Sequence, residues 1–200
     1  GVNRNHPALS GRVTRNFVNV GSGNDLSVDD KVGHGTVVAS LAAGRPATGL
    51  YSGGETGRWG GGVAQDATIV SSRIISDAPP PDDGSGEGNE IGPGDGAGDY
   101  FGDLNAQLAN TGAKIINNSW GGLYWTNPAL TTELAASWRD FVGNRGGLIV
   151  FATGNEGRAD PSDNASLPSQ QGPGGSLPAA DLERGWLAVT AVDPANTNRL

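Results

Sequence analysis

Three short segments of this 200-residue chain carry groups that could do chemistry on a peptide. His34 stands in Gly-His-Gly-Thr, Ser119 opens Ser-Trp-Gly-Gly, and Asn155 stands in Thr-Gly-Asn-Glu. Histidine is the usual general base near neutral pH. An asparagine amide can donate a hydrogen bond to a developing negative charge. Glycines leave bare backbone with which an extended peptide can pair, so the segments indicate a base, an anion-stabilising amide and a peptide-binding edge.

Each segment also has a purely structural interpretation. His34 could be a packed or helix-capping histidine, and Asn155 a turn residue that tolerates a left-handed conformation. The segment Ser119-Trp120-Gly121-Gly122 could be the turn that ends a strand. Taken singly, each structural interpretation is the more frequent one. The chemical interpretation depends on the order and spacing of all three segments.

The pattern of apolar residues predicts the elements that must position these groups. Strands are predicted over 13–20, 67–75, 113–117, 147–152 and 186–192, and helices over 34–43, 99–110 and 128–142. This alternation predicts an α/β fold, three-layered α/β/α with a mostly parallel, doubly wound sheet. Ligands bind at the carboxyl ends of the strands in such sheets. The segments at Ser119 and Asn155 each follow a predicted strand, so both are expected at that edge.

The connections between these elements are predicted to be irregular. Arg45–Gly62 and Arg158–Gly185 are predicted as Gly-rich or polar loops. Asp77–Gly98 is a low-complexity insert with three consecutive prolines and many glycines and acids, which cannot supply a core. No second domain is indicated. Residues 1–200 are therefore interpreted as one partial domain with an insert at about 77–98.

Composition excludes several classes of function. The formal net charge of −8 argues against a nucleic-acid partner, because phosphate binding needs basic patches. No apolar run approaches the roughly 18 residues of a membrane helix. The absence of cysteine excludes disulfides, thiol catalysis and thiolate metal sites.

Several motifs, in the same order along the chain, resemble those of the subtilisin-like serine proteases (subtilases). The resemblance is carried by HPALSGRV at 6–13, HGTVVASLAAG at 34–44, GVAQDATIVSSRII at 62–75, NNSWGG at 117–122 and FATGNEG at 151–157. It implies a serine endopeptidase with a polypeptide substrate, secreted or at the surface of a bacterial cell. A propeptide outside these residues is a further candidate partner.

The resemblance also implies the roles of individual residues. His34 would be the general base and Asn155 the side-chain donor of the oxyanion hole. The two walls of the primary specificity pocket would be formed by Ser119, Trp120, Gly121 and Gly122 on one side and by Ala152, Thr153 and Gly154 on the other. Asp30 is expected at the rim of the cleft, and Gly96–Gly98 beside the substrate.

Two members of the catalytic triad are not expected within residues 1–200. Gly1 resembles the glycine of the family's Asp-x-Gly motif, which would put the aspartate two residues before it. No Gly-Thr-Ser nucleophile motif occurs, and Ser176 is more typical of a turn. The chain is therefore expected to be an internal fragment, inactive by itself, of an active serine endopeptidase.

Two other functions compete with that of an enzyme. The alternative is a non-catalytic subtilase-like domain used for binding or as a scaffold. A nucleotide-binding α/β protein would need a glycine motif between a strand and a helix. The Gly-rich stretches at 60–62 and 84–88 lack that context.

No cofactor is identified from the sequence. Many subtilases have an aspartate after His-Pro that serves a calcium site, and this chain has Ala8 there. The alanine argues against that calcium site. Calcium elsewhere in the chain stays an open but unsupported alternative, and the acidic Asp77–Asp95 segment is more typical of a flexible loop than of a calcium site.

Overall fold

The computed structural model describes residues 1–21, 23–50, 54–78, 100–121, 135–155, 161, 163–169, 179–192 and 195. The described residues fall into two compact units, one within 1–78 and one within 100–195. Each unit has its own strands and its own core. Most of the predicted insert at 77–98 lies outside the described residues, and its boundaries stay a prediction. Among the described helices, none has the length and apolar character needed to cross a membrane.

The first unit is built on a parallel strand pair and a helix. Its elements are β1 (Val13–Val18), α1 (His34–Ala43), β2 (Ala47–Leu50), β3 (Thr56–Trp59) and β4 (Ile69–Arg73). Strands β1 and β4 pair in parallel, as predicted. The core consists of Val2, Leu9 and Ala39, with Val13 and Ile69 packed against it. The contribution of Ala39 shows that α1 lays its small side chains against this core.

The prediction of an irregular loop over Arg45–Gly62 was wrong. Strands β2 and β3 form an antiparallel hairpin there, with Ala47 opposite Trp59. The backbone pairing of four residues on each side does not require an apolar face, so the hydrophobic pattern gave no signal. The hairpin also packs against the end of α1, because a Cβ on Gly44 would lie 2.8 Å from the Trp59 ring.

The C-terminal end of α1 is closed by the segment that follows the hairpin. The last carbonyls of a helix have no partner within the helix. Here the N–H of Val63 donates to the Leu41 carbonyl at 3.1 Å. A Cβ on Gly62 would lie 2.4 Å from the Ser40 carbonyl oxygen, so glycine is required for this close approach.

The second unit is a three-stranded parallel sheet with helical connections. It contains α2 (Tyr100–Ala109), β5 (Ile115–Asn118), α3 (residues 135–139), β6 (Leu148–Ala152), α4 (Asp163–Ser166) and β7 (Trp186–Val189). The strand order is β5-β6-β7, with both pairs parallel. Parallel neighbours joined through a helix are the β-α-β arrangement that the sequence predicts, so the α/β class is confirmed.

The helix predicted over 128–142 is described only in its second half. Residues 128–134 lie outside the described residues, and α3 continues into a π-helical turn over Asp140–Asn144. The N–H of Arg145 donates to the Asp140 carbonyl at 3.2 Å and closes that turn. A Cβ on Gly147 would lie 2.2 Å from the Phe141 ring, so glycine is needed where the chain enters β6.

Aromatic side chains from three elements form the core of the second unit. Trp138, Phe141 and Phe151 are each 1% exposed or less. The Phe151 ring stacks on Trp186 at 5.2 Å between ring centroids and meets Trp138 edge-on at 5.3 Å. Burying such a side chain contributes roughly 1.5–3 kcal/mol to folding. The ring cluster therefore fixes β6 against β7 and α3.

The prediction of a polar loop over Arg158–Gly185 was wrong for its described part. The segment contains α4 and a 3₁₀ helix over Ala180–Gly185. Its buried side chains include those of Asn164, Ala165, Leu167, Ala179 and Leu182. These side chains are too widely scattered among polar residues to give a helical or strand period, so the pattern missed them.

Candidate active site

Strands β5 and β6 carry two of the candidate segments to one edge of the sheet. Asn118, the last residue of β5, lies opposite Phe151 of β6 in the parallel register. Residues 119–121 and 152–155 therefore leave adjacent strands at their carboxyl ends. The structure thus places the two candidate pocket walls side by side. Gly122 lies outside the described residues.

The wall that follows β5 is held by side chains of the strand itself. Ser119 is half-buried, and its Oγ accepts a hydrogen bond from Asn117 Nδ2 at 2.9 Å. That partner is an amide donor and not a base. The Trp120 indole N–H donates to Asn118 Oδ1 at 3.0 Å, and its ring meets Phe151 edge-on at 5.3 Å. The Trp120 ring is anchored on the core, which leaves the backbone to form the wall.

The wall that follows β6 is anchored on β7 and ends in a glycine turn. The N–H of Thr153 donates to the Val189 carbonyl at 3.0 Å. Gly154 then adopts φ 111°, a conformation that favours glycine. Asn155 follows this turn and is exposed. An asparagine side chain at such an edge can donate a hydrogen bond to an oxygen of a bound peptide.

His34 is the first residue of α1 and is exposed, as a general base acting on a substrate must be. The preceding Gly33 has φ 92° and supplies no side-chain cap. The Asp30 carboxylate takes that role and accepts the Gly33 N–H at 2.9 Å and the Thr36 N–H at 3.1 Å. It also accepts the Thr36 hydroxyl. The resemblance predicts a place at the cleft rim for Asp30, whereas the structure shows its carboxylate capping the helix that carries His34.

The cap controls the charge state of Asp30. Burial by itself would raise the pKa of this carboxyl group, but the hydrogen bonds from Thr36 and Gly33 outweigh burial and lower the pKa. Asp30 is therefore ionised at neutral pH. A negative charge at this end of α1 is favourable, because the N-terminus of a helix carries partial positive charge.

The start of the chain lies against the first turn of α1. A Cβ on Gly35 would lie 2.0 Å from the Gly1 carbonyl oxygen, and a Cβ on Gly1 would lie 2.0 Å from the Asp29 carbonyl oxygen. The Asn3 N–H donates to Thr36 Oγ1 at 2.9 Å. Paired glycines therefore allow the backbone around Gly1 to contact the turn that carries His34.

Sequence reasoning missed Arg73, which anchors the loop ahead of His34. Arg73 is 3% exposed, pairs with Asp77, and donates to the carbonyls of Asp25 at 2.9 Å and Val28 at 3.1 Å. The loop that leads to Asp30 is thereby fixed to the end of β4. An arginine at the end of an apolar strand, followed by an acid four residues later, was the signal that could have found it.

The candidate residues are divided between the two units. His34 and Asp30 lie in the first unit, whereas residues 119–121 and 152–155 lie in the second. Gly96–Gly98 lie outside the described residues. Among the described side chains, no group of three or more His, Asp or Glu could hold a metal ion. Ala8 is fully buried and has no ligand atom, so it does not fit the calcium site implied by the resemblance.

Comparison with known proteins places these observations in a family. The model of the Subtilase family (peptidase S8) matches residues 1–199. Thermitase of Thermoactinomyces vulgaris is 30% identical over 162 residues, which cover 81% of this chain and 47% of that protein. Mycosin-1 of Mycobacterium tuberculosis is 34% identical over 180 residues, covering 87% of this chain and 36% of that protein. The chain thus spans half or less of the length of these relatives.

The fold is also similar to that of a solved protease. The structure described as S41 psychrophilic protease superimposes with a TM-score of 0.52 at 27% identity, covering 82% of this chain and 47% of that one. This similarity shows that the α/β fold is of the subtilisin-like kind. With the family match over nearly every residue, the chain belongs to the subtilase family.

Proposed function

We propose that this chain forms part of the catalytic domain of a serine endopeptidase and supplies its general base, its oxyanion donor and its primary pocket. The observation that carries the proposal is the parallel register of β5 and β6, which sets the walls at 119–121 and 152–154 side by side, with Asn155 just beyond. The family match over residues 1–199 supports the same assignment for His34. The catalytic aspartate and serine are proposed to lie in neighbouring sequence of the complete protein.

The proposed reaction is acyl transfer from a peptide to a serine and then to water. The serine oxygen attacks the scissile carbonyl carbon while His34 takes the hydroxyl proton. The carbonyl oxygen gains negative charge, and the Asn155 amide donates a hydrogen bond to it. The C–N bond then breaks as His34 returns the proton to the leaving amine. Water repeats the sequence on the acyl ester and releases the second product.

The substrate is proposed to be an extended polypeptide. The half-buried segment at 119–121 can pair with a peptide backbone, because among the described residues a Cβ on Gly121 would meet nothing closer than 4.0 Å. The contact of Gly1 with Gly35 puts the glycine that resembles the family's Asp-x-Gly motif beside the turn that carries His34. Neither the attack of the serine on the peptide nor the hydrolysis of the acyl ester requires a cofactor.

Hydrolysis of an internally quenched peptide by the complete protein tests this function. We expect cleavage by the wild type and loss of cleavage in His34→Ala. The matched control is His6→Ala, at the second histidine of the chain, which should keep activity. A protein that binds the peptide without cleaving it would instead support the non-catalytic domain.

We further propose that the enzyme acts outside the cytoplasm, secreted or at the cell surface of a bacterium. The support is that the thermitase, mycosin and subtilisin relatives are bacterial proteins. Fractionation of the producing cells checks this, and recovery only from the cytoplasm would contradict it.

A further inference from the structure

Asn164 is a buried polar residue that contacts the wall following β5. It lies on α4 and is 1% exposed. Its Nδ2 donates to the Trp120 carbonyl oxygen at 3.1 Å. Its Oδ1 is also buried and has no hydrogen-bond partner in the part of the chain that the structure describes. A buried oxygen without a partner costs stability, so the residue requires a functional explanation.

The helix that carries Asn164 is fixed to the sheet from its other side. The Trp186 indole N–H donates to the Ala165 carbonyl at 2.8 Å, and Leu167 is 1% exposed. Trp186 stacks on Phe151, the same ring that the Trp120 indole meets edge-on. Helix α4 and the wall therefore rest on one aromatic cluster. An amide on this helix is held firmly enough to position what it binds.

The amide acts on the backbone of the wall and not on its side chains. The Trp120 carbonyl is the acceptor, and the two polar atoms of the Asn164 amide lie 4.0 Å from where a Cβ on Gly121 would be. No atom of the described residues approaches that position more closely. A leucine at position 164 would keep the branching at Cγ without a buried unpaired oxygen. The amide is therefore explained by the one bond that it donates to the wall.

We propose that Asn164 is a positioning residue that sets the orientation of the wall at 119–121 and thereby the side chain that the primary pocket accepts. The inference rests on the proposed function, because it takes this wall to be one side of the pocket. Loss of the donated bond removes this restraint on the Trp120 carbonyl and shifts the wall. The width of the pocket changes, whereas His34 and Asn155 are left in place.

Two variants of the complete protein isolate the donated hydrogen bond. Asn164→Leu removes the amide and the unpaired oxygen but keeps a side chain branched at Cγ, and Asn164→Ala removes them together with the side-chain volume. The two variants share the loss of the amide N–H donor. The control is Asn105→Leu, which removes a similarly buried amide whose Nδ2 donates to Ser137 Oγ and not to the wall. The substrates are quenched peptides that differ only in the residue before the cleaved bond, phenylalanine or alanine.

We expect both Asn164 variants to change the phenylalanine-to-alanine ratio of kcat/KM by about 10-fold, mainly through KM. Asn105→Leu should change the midpoint of thermal unfolding and leave the ratio unchanged. If the Asn164 variants keep the wild-type ratio, or shift it no more than Asn105→Leu does, the inference is overturned and the proposed function stands. A purely structural role predicts that outcome.

Peptide binding separates failure of the inference from failure of the proposed function. Titration calorimetry measures Kd for product peptides that end in phenylalanine or alanine, which needs no catalysis. A protein that cleaves nothing but binds these peptides with a ratio altered in both Asn164 variants would support the wall assignment and contradict hydrolysis. A protein that neither cleaves nor binds them would overturn both proposals.

Discussion

At the scale of single residues, the proposed chemistry depends most directly on Asn155. Its amide is exposed just past a glycine turn with φ 111° at the end of β6. Replacement by alanine in the complete protein should remove one hydrogen bond that forms only when the carbonyl oxygen gains charge. We expect kcat to fall by about 100- to 1000-fold with KM nearly unchanged, the loss that removal of an oxyanion-hole asparagine causes in a subtilisin. Steady-state kinetics of the variant check this prediction. An increase in KM with an unchanged kcat would contradict the role of Asn155 as oxyanion donor.

Gly121 offers a second residue-scale prediction, because the fold does not require glycine there. Among the described residues, the nearest atoms to an added Cβ are those of the Asn164 amide at 4.0 Å, an ordinary contact distance. Gly121→Ala should therefore leave the midpoint of thermal unfolding within a few degrees of the wild type. The methyl group should nevertheless obstruct an extended peptide on the wall and raise KM about 10-fold. An unchanged KM would remove the wall from the substrate site.

At the scale of elements, α1 depends on Asp30 for its cap. Asp30→Asn replaces one carboxylate oxygen by an amide NH2 group, which cannot accept a hydrogen bond from Gly33 or Thr36. We expect a loss of about 1 kcal/mol in the free energy of unfolding at pH 7. Because the pKa of Asp30 is lowered in the folded protein, the stabilisation is present above the ordinary value of 3.8 and fades as the pH falls through the folded value. Urea unfolding should show that the difference in the free energy of unfolding between the wild type and Asp30→Asn is smaller at pH 3 than at pH 7.

The control for this prediction is Glu55→Gln. Glu55 is exposed and has no hydrogen bond or ion pair with a described residue, so its charge should contribute little. This variant should match the wild type at both pH values. A difference between Asp30→Asn and the wild type that persists unchanged in acid would show that the carboxylate charge is not what stabilises α1.

The contact between α1 and the start of the chain gives another element-scale prediction. A Cβ on Gly35 would meet the Gly1 carbonyl oxygen at 2.0 Å, so the backbone must shift. Gly35→Ala should lose roughly 1–3 kcal/mol in the free energy of unfolding. Gly49→Ala is the matched control, because a Cβ there meets nothing within 4 Å. Equal effects of the two substitutions on chemical denaturation would contradict the packing of α1 on Gly1.

At the scale of the whole molecule, the sequence could predict the helices and strands that have a regular apolar period and end at a glycine. Helix α1 begins at His34 and ends before Gly44 as predicted, and β1, β4, β5, β6 and β7 lie within or beside their predicted segments. The parallel pairing followed from the alternation of strands and helices. The segments at Ser119 and Asn155 reach one edge because their strands are neighbours.

What the sequence could not predict is structure held by single contacts. The β2–β3 hairpin has no apolar period, and helix α4 is too short to show one. Two buried polar residues have partners that lie far away in sequence. Asn164 bonds to Trp120, and Arg73 bonds to Asp25. Only tertiary structure brings such pairs together. The role of Asp30 as a helix cap was hidden for a related reason, because the residue lies three positions ahead of the usual cap.

Labelling of the complete protein with a fluorophosphonate probe tests the central claim most directly. Such a probe forms a covalent bond only with a serine activated by a neighbouring base. The account predicts strong labelling of one serine in the wild type and in His6→Ala, and loss of labelling in His34→Ala. Absence of labelling in the folded wild type, or labelling that His34→Ala leaves intact, would contradict it.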